Sequence, residues 1–138
     1  MKYLGLDLGS RTLGIAKSDS GGLIASSYKV IRHNEEYERL LEEVKNLCTE
    51  LEIDEIVLGF PKNMNNTIGP KGELSLEFKE KLESLINIPV HLEDERLTTK
   101  SATDMLIMGN VSRKDRKKVV DAVAATIILQ SYLDKKGK

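Results

Sequence analysis

Residues 2–9 alternate, with Leu4, Leu6 and Leu8 on one side and Tyr3, Gly5 and Asp7 on the other, which is the period of a half-buried strand. Gly9-Ser10-Arg11-Thr12 reads as a tight turn into a second strand over residues 13–18, and Ser20-Gly21-Gly22 as a turn into a third over residues 23–31. Turns this short join antiparallel neighbours. The period then changes: Leu40, Leu41, Val44, Leu47 and Leu51 recur at helical spacing behind Asn34, a suitable N-cap, and Glu35 and Glu36, which suit a positive helix start.

Ile56-Val57-Leu58-Gly59 is short and apolar, as expected of a parallel strand buried on both faces. Residues 60–72 are rich in Pro, Asn and Gly and predict a loop at the carboxyl end of that strand. Leu74, Phe78, Leu82 and Leu85 mark a second helix, and residues 90–95 a fifth strand that ends in Glu93-Asp94-Glu95. Thr98 or Thr99 then caps a short helix carrying Ala102, Met105 and Leu106, which stops at Gly109-Asn110 before a last helix over about residues 112–133. The order βββαβαβαα predicts an α/β fold: a mixed five-stranded sheet, three antiparallel strands and then two parallel ones, with helices on both faces. No linker or internal repeat interrupts the 138 residues, so one domain over residues 1–138 is expected.

Composition narrows this picture only a little. The chain is 40% hydrophobic and 31% charged, ordinary for a globular protein. It has neither an apolar run of the roughly 20 residues that span a bilayer nor a leader-like N-terminus, so a cytoplasmic location and no membrane partner are expected. Cys48 is the only cysteine and reads as a small core residue. A net charge of −1 means that any contact with nucleic acid depends on local patches.

Asp7 is the anomaly of the first strand, because a carboxylate there costs several kcal/mol unless a cation or hydrogen-bond donors compensate it. Either a metal ion or the N–H groups of the following turn would serve. Asp121 shares a helical stripe with Ala124, Ala125, Ile128 and Tyr132, the face that should pack on the sheet, although an ion pair with Lys117 or Lys118 would also account for it. The strand-end acids lie where open α/β sheets place their ligands. Alternation groups Asp94 with Val90 and Leu92, and Glu95 with His91 and Glu93, which leaves the choice between Asp94 and Glu95 open; for Glu93 a solvated strand end is expected.

Carboxylates without a cysteine cluster favour Mg²⁺ or Mn²⁺ over zinc. Two such ions would suit three acids and hydrolysis of a phosphodiester. Arg113, Lys114, Arg116, Lys117 and Lys118 lead into the helix bearing Asp121 and are candidate phosphate-backbone contacts, with Arg96, Lys62 and Lys71 as possible extensions of the patch.

Four blocks in order then resemble a known family. They are Gly5-Leu6-Asp7-Leu8-Gly9 running on to Gly14-Ile15-Ala16-Lys17-Ser18-Asp19, then Leu58-Gly59-Phe60-Pro61-Lys62-Asn63-Met64-Asn65, then Asp94-Glu95-Arg96-Leu97-Thr98-Thr99, and Asp121-Ala122-Val123-Ala124-Ala125 before Ile128-Leu129-Gln130. Over nearly the whole chain the sequence is similar to the YqgF/RuvX family of RNase H-like proteins, described as pre-16S rRNA nucleases and, by fold analogy, as Holliday junction resolvases. The resemblance implies an RNase H-like fold and an acidic site of Asp7, Glu95 and Asp121, with Asp94 as the alternate third acid. It also implies substrate-handling roles for residues 63–69 and for Arg96. Asn66 departs from the glycine expected there. The expected activity is metal-dependent cleavage of structured nucleic acid, with the 5′ end of pre-16S rRNA as substrate, or of branched DNA junctions by a possible homodimer. Two readings from other classes remain: the phosphate-binding hairpin of an actin-like or sugar-kinase ATPase at Asp7-Leu8-Gly9-Ser10-Arg11-Thr12, for which 138 residues leave no second domain, and a non-catalytic RNA-binding platform.

Overall fold

A computed structural model describes residues 1–9, 11–61, 69–94 and 113–136, with the backbone alone for 113–122. Strands β1 (Tyr3–Leu8), β2 (Thr12–Ser18) and β3 (Ala25–Arg32) are followed by helix α1 (Tyr37–Leu51), strand β4 (Glu55–Phe60), helix α2 (Pro70–Leu85), strand β5 (Val90–Asp94) and helix α3 (Arg113–Lys136). The sheet order is β3-β2-β1-β4-β5, with β1 and β3 antiparallel to β2 and with β1, β4 and β5 mutually parallel. This is the mixed sheet expected, with β1 at its centre. The expected short helix at residues 98–109 lies outside the described residues.

Strand alternation sorts the side chains into two layers. Leu4, Leu6, Leu8, Leu13, Ile15, Ile56 and Leu58 join Leu40, Val44, Phe78 and Leu82 in one cluster beneath α1 and α2. Tyr3, Ala16 and Val57 join Ala125, Ile128, Leu129 and Leu133 in the other, beneath α3. Cys48 is buried in the first layer, and burial pushes its thiol up to about 11.

Helix α1 begins later than its polar cap residue suggests. Its N-cap is Glu36, not Asn34, because Glu35 takes a left-handed φ of 55° and inserts a turn between strand and helix. Asn34 is occupied elsewhere: its Oδ1 accepts a hydrogen bond from Arg11 Nη1 at 2.7 Å. Strand β3 begins at Ala25 rather than residue 23, since Asp19 Oδ1 accepts from the N–H groups of Leu23 and Ile24 and holds both in the turn.

Helix α3 lies unusually close to β1. A Cβ added to Gly5 would stand 2.7 Å from Leu129 Cβ and 3.1 Å from the Ala125 carbonyl oxygen, so the missing side chain at Gly5 sets the helix-to-sheet distance. The Tyr3 ring meets the Tyr132 ring at 6.1 Å between centroids, two residues earlier in the strand and further along the helix. Therefore α3 runs antiparallel to β1.

Candidate active site

Asp7 falls on the α3 side of the central strand by alternation with Tyr3 and Gly5, is half-buried, and pairs in register with Gly14 of β2. From Gly5 to Asp7 the strand advances about 6.8 Å. From Ala125 back to Asp121 the antiparallel helix advances about 6 Å in the same direction. The backbone of Asp121 is thus carried toward the same end of the sheet as Asp7. Ala124, Ala125 and Ile128, expected on its stripe, are all buried against the sheet.

On β5 the parity separates the acids. Leu92 packs against the α1/α2 layer, while His91 stacks on Tyr132 of α3 at 5.3 Å and 21°. Asp94 has the parity of Leu92 and is exposed at the position paired with Phe60; it follows that Asp94 and Asp7 point to opposite faces. Glu95 and Arg96 lie outside the described residues. Among the described residues no group of three or more His, Cys, Asp or Glu side chains is placed to hold a metal ion.

Glu93 corrects an expectation. It is 4% exposed rather than a solvated strand end, because its parity turns it under α3, where Lys135 pairs with it. Next to it, Glu55 accepts from His91 Nε2 at 2.9 Å and from Lys136 Nζ at 3.1 Å, and Lys136 also contacts the Tyr3 hydroxyl. Burial alone would raise the Glu55 carboxyl, but the bonds from His91, Lys136 and Tyr3 outweigh it and hold the group below its ordinary value. These contacts fasten the C-terminal end of α3 to β4 and β5, opposite in the helix to Asp121. Sequence reading passed over them, although the shared parity of His91 and Glu93 was visible.

The basic run Arg113, Lys114, Arg116, Lys117 and Lys118 forms the first turns of α3. Lys71 stands exposed in the first turn of α2, which packs on the opposite layer of the sheet from α3; Lys62 lies outside the described residues. The turn after Asp7 is closed by Gly9 N–H donating to the Thr12 carbonyl at 2.8 Å. It is also tied to the start of α1 through His33, 8% exposed, whose Nε2 lies 2.9 Å from the Gly9 carbonyl. Sequence reading missed His33, which no motif marks. A groove between α1 and α2, lined by Glu38, Leu41, Glu42, Lys81, Ser84 and Leu85, is on the side away from Asp7. No helix among the described residues is long and apolar enough to cross a membrane.

Comparison with known proteins adds to this geometry. A family model described as "RuvX: Holliday junction resolvase" matches residues 1–135. A Bacillus subtilis protein named "Putative pre-16S rRNA nuclease" is 53% identical, over 97% of this chain and 98% of its own. A protein of the same name from Lactiplantibacillus plantarum is 50% identical, over 100% and 97%. Among solved structures, Thermus thermophilus RuvC in complex with Holliday junction substrate superposes with a TM-score of 0.61 over 99% of this chain and 96% of that one, at 15% identity. That likeness shows the RNase H-like fold.

Proposed function

The chain belongs to the RuvX family, and on that footing we propose that it is a metal-dependent nuclease that cleaves structured RNA, with the 5′ end of pre-16S rRNA as its substrate. The observation that supports this is backbone placement: Asp7 lies on the α3 side of β1, and the backbone of Asp121 lies one helical turn before the Ala125 that abuts Gly5, toward the same end of the sheet. Relatives about half identical and named for this activity support the substrate. A cytoplasmic setting goes with it.

In this reading Asp7, Glu95 and Asp121 would hold Mg²⁺ or Mn²⁺, two ions for three carboxylates. The donor set fits, since hard divalent cations prefer carboxylate oxygen. The parity of β5 favours Glu95 over Asp94 as the third acid, because His91 and Glu93 share the α3 face with Asp7 while Asp94 does not. When bound, such ions would supply Lewis-acid chemistry, lowering the pKa of the attacking water and offsetting charge on the phosphate. The protein's part is positioning. Asp7 is held half-buried by a central strand that pairs on both sides. Arg113, Lys114, Arg116, Lys117 and Lys118, in the first turns of α3, would contact the phosphate backbone, and Arg96 lies next to Glu95 in the chain. Water attacks phosphorus, the bond to the leaving ester oxygen breaks, and that oxygen takes up a proton.

A resolvase acting on four-way DNA junctions is the second reading, favoured by the family description. It requires a homodimer that presents two sites symmetrically. Hydrolysis of a labelled 16S precursor fragment and of a four-way junction, each with Mg²⁺ or Mn²⁺, separates the two. Wild type is expected to cut the precursor, and folded Asp7→Asn, Glu95→Gln and Asp121→Asn to lose at least about 100-fold in rate. Cleavage of the junction alone would replace the first reading by the second; precursor cleavage that survives Asp7→Asn would refute the site.

A further inference from the structure

His33 is a buried, titratable side chain that the proposed chemistry does not use, and three of its atoms are engaged by two different segments. Its N–H donates to the Arg11 carbonyl at 2.9 Å. Its ring Nδ1 lies 3.3 Å from the backbone nitrogen of Glu36, which must be the donor, so Nδ1 is unprotonated. The proton is therefore on Nε2, which donates to the Gly9 carbonyl at 2.9 Å. The Tyr37 ring meets the imidazole edge-on at 5.6 Å and confines it. Arg11 adds a parallel tie through Asn34 at 2.7 Å.

Gly9 is two residues beyond Asp7 and has no side chain with which to anchor itself. Beyond the register pair Leu8↔Leu13, the last of the β1–β2 ladder, the Gly9–Thr12 bond and this imidazole both hold the chain at the end of β1. We infer that His33 is a positioning residue: it clamps the Gly9 carbonyl to the β3–α1 junction and thereby fixes Asp7 at the height the metal and the substrate phosphate require. This rests on the nuclease reading for its consequence, though not for its geometry. Releasing the clamp leaves the chain folded and lets the end of β1 move, and a displacement of about 1 Å at a reacting group can lower the rate about 100-fold without changing substrate binding.

Two amide substitutions separate the roles of the ring. A glutamine amide reaches as far as Nε2 and can still donate to Gly9; an asparagine amide reaches only as far as Nδ1 and keeps only the contact with Glu36. The test measures Gly9 amide exchange, calorimetric Mn²⁺ affinity and kcat with KM in wild type, His33→Asn and His33→Gln. It adds the ring ¹⁵N shifts of His33 in wild type, which need no variant. Expected are the Nε2–H tautomer, faster Gly9 exchange and weaker Mn²⁺ binding in His33→Asn, a kcat lower by about 10- to 100-fold at unchanged KM, and recovery in His33→Gln. An Nδ1–H tautomer in wild type, or Gly9 exchange and Mn²⁺ affinity unaltered in His33→Asn, would overturn the clamp whatever the nuclease assay gives. If those readouts respond but wild type cuts neither RNA nor junction, the clamp stands and the nuclease reading falls.

Discussion

Gly5→Ala measures how closely α3 must approach the sheet. The new methyl would stand 2.7 Å from Leu129 Cβ, about 1 Å inside ordinary contact distance, and 3.1 Å from the Ala125 carbonyl oxygen, which is also tight. Neither neighbour can rotate away, because one is a Cβ and the other is backbone. The whole helix must shift, at a cost of about 1–3 kcal/mol for overpacking. Against this, alanine in a strand interior regains about 0.5–1 kcal/mol relative to glycine. The balance is a net loss centred on about 1 kcal/mol, which in a domain of this size lowers Tm by about 3–5 °C. The assay is thermal and urea unfolding of wild type and Gly5→Ala with chelator present. Gly21→Ala is the control, since its Cβ would lie 3.4 Å from the Asp19 carboxylate, an ordinary contact, and should change stability by less than about 0.5 kcal/mol. If Gly5→Ala were as stable as wild type, the argument that this glycine sets the helix-to-sheet distance would be wrong.

The other predictions concern charge, metal and thiol. Glu55→Gln should cost about 1–2 kcal/mol at pH 7. The folded carboxyl lies below its unfolded value, so the stabilisation is complete above the unfolded carboxylate range of about 4.3 and fades as pH falls through the folded value. Denaturation of both proteins from pH 7 to 3 should therefore converge, and a gap that widens in acid would contradict the sign. Saturation to ten times Kd with Mg²⁺ should stabilise wild type by about 1.4 kcal/mol; a shift of equal size in Asp7→Asn would show that the ion binds elsewhere. Cys48, buried and raised to about 11, should react with a disulfide reagent at pH 8 only as the protein unfolds, and stoichiometric modification of the native protein within seconds would contradict its burial.

Periodicity was enough to place the described elements because it records the sides on which each strand and helix is buried. Leu4, Leu6 and Leu8 against Tyr3, Gly5 and Asp7 foretold the two faces of β1, and the Ala124, Ala125 and Ile128 stripe foretold the inner face of α3. Element ends were less legible. Asn34 is a suitable cap by residue type, but the bond from Arg11, 23 residues away, claims its side chain, and a local rule has no term for such a partner.

The sequence by itself therefore determined the α/β order, the central strand carrying Asp7, and the inward stripe of Ala124, Ala125 and Ile128, since each is written in neighbouring residues and their spacing. Only the tertiary structure decided that Glu93 is buried beneath Lys135, that Glu55, His91 and Lys136 fasten the far end of α3, and that His33 reaches Gly9. Each of these joins residues from 24 to 81 positions apart. Such contacts arise from how the layers pack, and chain spacing carries no record of which side chains packing will bring together.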